Sequence, residues 1–138
     1  MSNQPHRKMH LNAFFLGAGQ HLAAWRHPDS RINGGFNLEH IKGLVQTAER
    51  AKFDAIFFAD ILGIPPARTP ETRAQTVNYI GFEPVTLLSY LAAVTQKIGL
   101  IATVSTSYLE PFHLARKFAS LDRRQTGSRR PDRAVAAR

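Results

Sequence analysis

Apolar and polar positions fall into two kinds of stretch along this chain. Met9–Leu16 (MHLNAFFL), Phe53–Ala59 (FDAIFFA) and Ile98–Val104 (IGLIATV) are short runs that are mostly apolar. Runs of that length and character are the pattern of strands buried on both faces. After the first run, Leu38, Ile41, Leu44, Val45, Ala48 and Ala51 recur at helical spacing and leave Lys42, Gln46, Glu49 and Arg50 outside, which predicts an amphipathic helix. Asn37 stands at its N-cap, Glu39 in its first turn, and Phe36 and Ile41 at the two positions of a hydrophobic staple. A second helix opens at Glu83-Pro84, with proline where its missing N–H costs nothing, and carries Val85, Leu88, Leu91, Ala92 and Thr95 inward. A third opens by the same device at Glu110-Pro111, with Leu114, Ala115, Phe118 and Leu121 inside.

The order is β-α-β-α-β-α, with strands starting near residues 9, 53 and 98. Buried strands alternating with amphipathic helices imply an α/β fold with a parallel sheet and right-handed crossovers. Three such units fit a doubly wound sheet or the start of a barrel equally well. Gln20–Phe36 is a long loop, and Ile61–Phe82 is of the length that usually carries function and is expected to form one wall of a pocket.

Charge alters this picture only at the end of the chain. The net charge is +8, which invites a nucleic-acid reading. Residues 123–138 hold six arginines against one acid, so they account for +5 and leave +3 to the other 122 residues. The tail has no interleaved aromatic residues and no docking motif, so nucleic acid is a disfavoured partner. A basic-tailed interaction fragment without enzymatic activity stays as the alternative class.

The chain has no cysteine, which excludes disulfides and thiolate metal sites. No apolar run approaches the ~20 residues of a membrane span, and Met1–Lys8 lacks the apolar segment of a secretory signal. A cytoplasmic protein with no membrane partner is expected. His6 and His10 have no acids at ligand spacing, so no metal is expected. Gly17-Ala18-Gly19 lacks the third glycine and the following helix of a dinucleotide loop.

Four stretches carry a family resemblance: Asn12 to Pro28 with its Ala24-Trp25-Arg26-His27-Pro28 end; Thr47 to Asp54 running into Phe57-Phe58-Ala59-Asp60; Phe82-Glu83-Pro84-Val85-Thr86-Leu87-Leu88; and Ile98 to Tyr108 followed by Glu110-Pro111-Phe112, Leu114-Ala115-Arg116 and Phe118 to Asp122. In order and spacing they resemble the bacterial-luciferase-like flavin-dependent monooxygenases, in the branch of nitrilotriacetate, dibenzothiophene-sulfone and long-chain alkane monooxygenases. The resemblance implies a TIM (β/α)8 barrel with FMN at the C-terminal ends of its strands. It implies reduced FMN supplied in trans by a partner flavin reductase, O2 as co-substrate, a small organic substrate and a homo-oligomer. A deazaflavin-dependent oxidoreductase of the same superfamily is a further alternative.

Carried over by position, Asp60 at the end of the second strand and Thr103 at the end of the third are the implied flavin contacts, with Thr106 a further hydroxyl. His21, Trp25 and His27 are candidates for the substrate pocket. Each has an ordinary reading beside it. An aspartate after a strand caps turns, a threonine favours strands, and loop histidines are commonly solvated.

Beyond Asp122 the family pattern gives way to Arg-, Ala- and Pro-rich sequence. The expected organisation is therefore residues 1–122 as the first three βα units of an incomplete barrel and 123–138 as an irregular, disordered or out-of-frame basic tail. A frameshift or truncation is the expectation that accounts for both signals. An open three-stranded sheet would expose its edges, so weak or no FMN binding, and aggregation or the need for a partner, are expected.

Overall fold

The computed structural model describes residues 8–21, 23–31, 33–63 and 81–125, the last three as backbone. His6, most of the loop Ile61–Phe82, and the tail from residue 126 lie outside the described residues. The elements run in the predicted order: β1 (Asn12–Phe15), α1 (Leu38–Arg50), β2 (Ala55–Phe58), α2 (Pro84–Val94), β3 (Gly99–Ala102) and α3 (Pro111–Gln125). Two short 3-10 turns, Ala24–Arg26 and Gly34–Phe36, punctuate the loop between β1 and α1. Each strand occupies the middle of its apolar run. The third helix continues three residues past Asp122.

The strands form one parallel sheet in the order β1-β2-β3. Asn12 to Phe15 pair in register with Ala55 to Phe58, and those with Gly99 to Ala102. Alternation assigns Ala13, Phe15, Ile56, Phe58, Leu100 and Ala102 to one face. That face meets Ile41 and Val45 of α1 and Val85, Leu88 and Leu91 of α2 in a single core. The other face carries Phe14, Phe57 and Ile101 side by side. The rings of Phe14 and Phe57 lie 5.2 Å apart, and Phe14 is 46% exposed.

This arrangement fits the start of a barrel. A doubly wound sheet places helices on both faces by reversing its strand order. Here the order never reverses and the helices pack on one face, as in the first three βα units of a TIM barrel.

Local sequence explains the helix ends. The Asn37 side chain accepts from the His40 N–H at 3.0 Å and caps α1. The helix closes in a Schellman motif: Phe53 N–H reaches Ala48 O and Lys52 N–H reaches Glu49 O, with Lys52 left-handed at φ 63°. Glu83 caps α2, its carboxylate accepting from Val85 N at 3.0 Å and from Thr86 N at 2.7 Å.

Inner-face assignments hold for α2, where Val85, Leu88, Leu91, Ala92 and Thr95 are all buried. They hold less well at the sides of the layer. Leu38, Leu44, Ala51 and Ala115 are exposed rather than inside. Leu44 and Ala51 lie on the flank of α1 opposite Gln46 and Glu49, the side chains that reach towards α2 and β3. Ala115 lies on the flank of α3 away from α2. Among the described residues, no helix covers either flank. Phe36 turns its ring edge-on to Phe82, 5.5 Å between centroids, and is itself exposed.

Candidate functional site at the C-terminal ends of the strands

The loops that follow β1 and β2 enclose a cavity of about 400 Å3 at the C-terminal end of the sheet. Aromatic side chains make its walls: Phe14, Phe15, Phe58 and Phe82, joined by Ile41 and Leu87. Gly17, Gly35 and Gly81 line it where side chains would otherwise stand. The polar side chains in its lining are Asp60 and Gln20.

One of those glycines, Gly17, follows from a backbone crossing, as does Gly34 next to the cavity lining. The turn after β1 runs against the Gly34–Phe36 turn so closely that a Cβ on Gly17 would stand 2.5 Å from the Gly35 amide nitrogen. A Cβ on Gly34 would run into the Gly17 carbonyl. Only glycine permits that approach. Ser30 fastens the same region by donating from Oγ to Ala18 O at 3.1 Å. Gln20 donates from Nε2 to Phe14 O at 2.7 Å and closes the end of β1.

Asp60 lies two residues beyond the end of β2 and is half-buried at the cavity wall. Thr103 continues the ladder one residue past β3, its N–H donating to Phe58 O at 3.0 Å. That bond places Thr103 beside Ala59, next to Asp60 but on the neighbouring strand. Alternation puts its side chain on the face of Phe57 and Ile101, outside the cavity lining. Thr106 sits exposed in the following turn.

The three loop candidates assemble differently. His21 and His27 line a separate, shallow groove with Arg26 and Asp29. Each imidazole accepts a backbone N–H two residues on: His21 Nδ1 from Ala23 at 3.1 Å, and His27 Nδ1 from Asp29 at 3.2 Å. Both rings thus also organise their own turns. Trp25 lies under the Arg26 guanidinium, 5.0 Å from its centre, and does not line the groove.

Electrostatics around the cavity are set by neighbours. Burial alone would raise the Glu83 pKa, but hydrogen bonds from Thr86 and Val85 and the charge of Lys117 outweigh it and hold the carboxyl below its ordinary range. Burial, then the Arg31 charge, lowers the pKa of His40 at the start of α1. Among the described residues, no group of three or more metal-ligating side chains occurs.

Aromatic walls, glycine backbone and a few polar groups fit a flat ring system with one polar edge, such as the isoalloxazine of a flavin. Among the described residues, the cavity lining contains no lysine or arginine. Sequence reasoning reached Asp60, and expected the loop Ile61–Phe82 as a pocket wall, of which Ile61, Gly81 and Phe82 line the cavity, but it missed Gly35. The Gly34-Gly35 pair within a long loop was the available signal.

Comparison with known proteins agrees with this geometry. A family model described as luciferase-like monooxygenase matches residues 17–127. N-acetyl-S-(2-succino)cysteine monooxygenase of Bacillus subtilis (strain 168) is 49% identical over 121 residues, covering 88% of this chain and 26% of that protein. Nitrilotriacetate monooxygenase component A of Aminobacter aminovorans is 36% identical over 122 residues, covering 84% and 27%. The solved structure of a riboflavin lyase with modified FMN and riboflavin superposes with a TM-score of 0.76 at 26% identity, covering 95% of this chain and 29% of that one. The chain thus spans about a quarter of the length of the curated relatives it matches. Among the described residues, no helix is long and apolar enough to cross a membrane. The expected branch is borne out, and the chain belongs to the luciferase-like monooxygenase family.

Proposed function

We propose that this chain supplies the ring end of the flavin site of an FMN-dependent monooxygenase. That enzyme takes reduced flavin from a partner reductase and uses O2 to oxygenate a small organic substrate. The observation that carries the reading is the aromatic, glycine-lined cavity with Asp60 at its wall, at the strand ends where barrel enzymes keep their chemistry. FMN, when bound and reduced, supplies the electrons for oxygen activation.

The protein's part is to bind, orient and exclude water. Asp60 accepts a hydrogen bond from a ring N–H. The hydroxyls of Thr103 and Thr106 stand outside the cavity lining, so they would donate only to a part of the ligand that reaches past the end of β3. The aromatic walls keep water from the ring. His21, Trp25 and His27 stand on the loop that leads substrate in.

Titration of the chain with lumiflavin, riboflavin and FMN, followed by flavin fluorescence, tests this reading. Because no cation among the described residues lines the cavity, the three ligands should bind with affinities within about threefold of one another. Asp60→Asn should weaken all three by roughly tenfold, the scale of one hydrogen bond to a charged group. FMN bound a hundredfold more tightly than lumiflavin would contradict the ring-end assignment. Absence of flavin binding would sink the reading.

A further inference from the structure

Three glycines line the cavity, and the backbone crossing explains Gly17. Gly17 and Gly35 take part in a backbone crossing that leaves no room for a Cβ on Gly17. Gly81, which precedes α2, is under no such constraint. Its φ is outside the left-handed region, which among the described glycines only Gly19 occupies. A Cβ built on Gly81 would meet, among the described residues, only the Gly35 carbonyl oxygen at 3.6 Å, an ordinary contact.

Glycine is costly at such a position, because it loses more backbone entropy on folding than any other residue. Neither backbone angle nor packing among the described residues demands it. What a side chain at position 81 would take up is space at the cavity wall, beside Gly35, where Asp60 and Phe82 also stand. Glycine within a binding wall marks a place where a ligand comes close to the backbone.

We propose that Gly81 is a specificity-determining position: with Gly35 it keeps the cavity wide enough for a flat, fused-ring ligand, and a side chain there would exclude it. The inference rests on the flavin reading above and adds to it a residue that controls ring size. Gly43 supplies the internal control. A Cβ there meets nothing within 4 Å, but Gly43 lies on α1, outside the cavity lining.

The experiment compares the parent chain with Gly81→Ala, Gly81→Leu and Gly43→Ala, using lumiflavin as the probe and reading both its dissociation constant and the unfolding midpoint. Gly81→Leu should weaken lumiflavin at least roughly tenfold, the effect of overpacking a site. Gly81→Ala should weaken it at least twofold while the unfolding midpoint stays level or rises, since alanine restricts the unfolded chain. Gly43→Ala should leave the affinity unchanged. Should the leucine variant fail to fold, the alanine variant decides alone. Parent-like affinity in Gly81→Leu, or in Gly81→Ala when it stands alone, overturns the inference and leaves the flavin reading intact. A parent chain that does not bind lumiflavin overturns both.

Discussion

The two ends of the sheet treat their polar groups in opposite ways. Where the strands begin, carboxylates are engaged by backbone. Asp54 takes the Leu11 N–H at 2.9 Å and pairs with His10 at 3.2 Å, while its carbonyl accepts from Gly99 at 2.7 Å. Glu49 receives three consecutive N–H groups, those of Gln96 and Ile98 at 2.8 and 3.0 Å with Lys97 between them. Where the strands finish, the Asp60 carboxylate and the Thr103 and Thr106 hydroxyls have no hydrogen-bond partner among the described residues, and glycine backbone forms part of a cavity wall. One end joins elements together; the other leaves hydrogen-bonding capacity facing a space.

Both ends depend on the layer between them, so the largest effect should come from its centre. Leu91 is fully buried in the shared core. Leu91→Ala should cost about 2–5 kcal/mol, read from urea unfolding, and should impair flavin binding along with stability. A loss below about 0.5 kcal/mol would show that the helices do not hold the sheet, and the contrast between its ends would lose its basis.

Glu49 separates the ends more sharply. Removing its carboxylate leaves three N–H groups of the α2–β3 turn without their acceptor. Glu49→Ala should destabilise by about 1.5–3 kcal/mol, the range for hydrogen bonds to a charged group, and Glu49→Gln by less. Lumiflavin affinity of the folded fraction should not change. A change in affinity without a change in stability would mean that the beginning of the sheet is coupled to the cavity.

Glu49 also marks the limit of what the sequence disclosed. Helix starts were legible because their signals are local: Asn37 caps its own first turn, and Glu83 bonds to residues two and three places on. Glu49 read as an outward position because its partners stand 47 to 49 residues away. The choice between barrel and doubly wound sheet was hidden for the same reason, since strand order is a long-range property. At the cavity, Asp60 was reached through family resemblance. The parts played by Gly35 and Gly81 were not, because loops meeting in space leave no periodic trace. Leu44 and Ala115 satisfied helical spacing yet proved exposed; spacing identifies a face, and a neighbour must then cover it.

A smaller effect should come from the turn after α1. Lys52 pays for its left-handed backbone, where a side chain crowds its own carbonyl. Lys52→Gly should stabilise the chain by up to about 1 kcal/mol, the relief being partly offset by glycine's greater freedom when unfolded. Because the site belongs to the beginning of the sheet, flavin affinity should be unaffected. Destabilisation would mean that the Lys52 side chain contributes more than its backbone costs.

The smallest effect expected is in acid, and it bears on both ends. At the beginning of the sheet, the Leu11 N–H, then His10, lowers the Asp54 pKa. At the opening of α2, Glu83 is also lowered, because its cap bonds and Lys117 outweigh burial. A carboxyl whose pKa is lower folded than unfolded binds fewer protons in the native state. Its contribution is therefore present above the unfolded value and fades as pH falls through the folded one. The ordinary values are 3.8 for Asp54 and 4.5 for Glu83, so their contribution should decline below about pH 4.5, in addition to the loss below about pH 6.5 from His40, whose pKa is lowered in the fold. Asp54→Asn and Glu83→Gln should each flatten that decline in unfolding midpoints measured from pH 6 to pH 3, and the double variant should flatten it further. An acid slope unchanged in the double variant would show that these two carboxylates do not contribute to it.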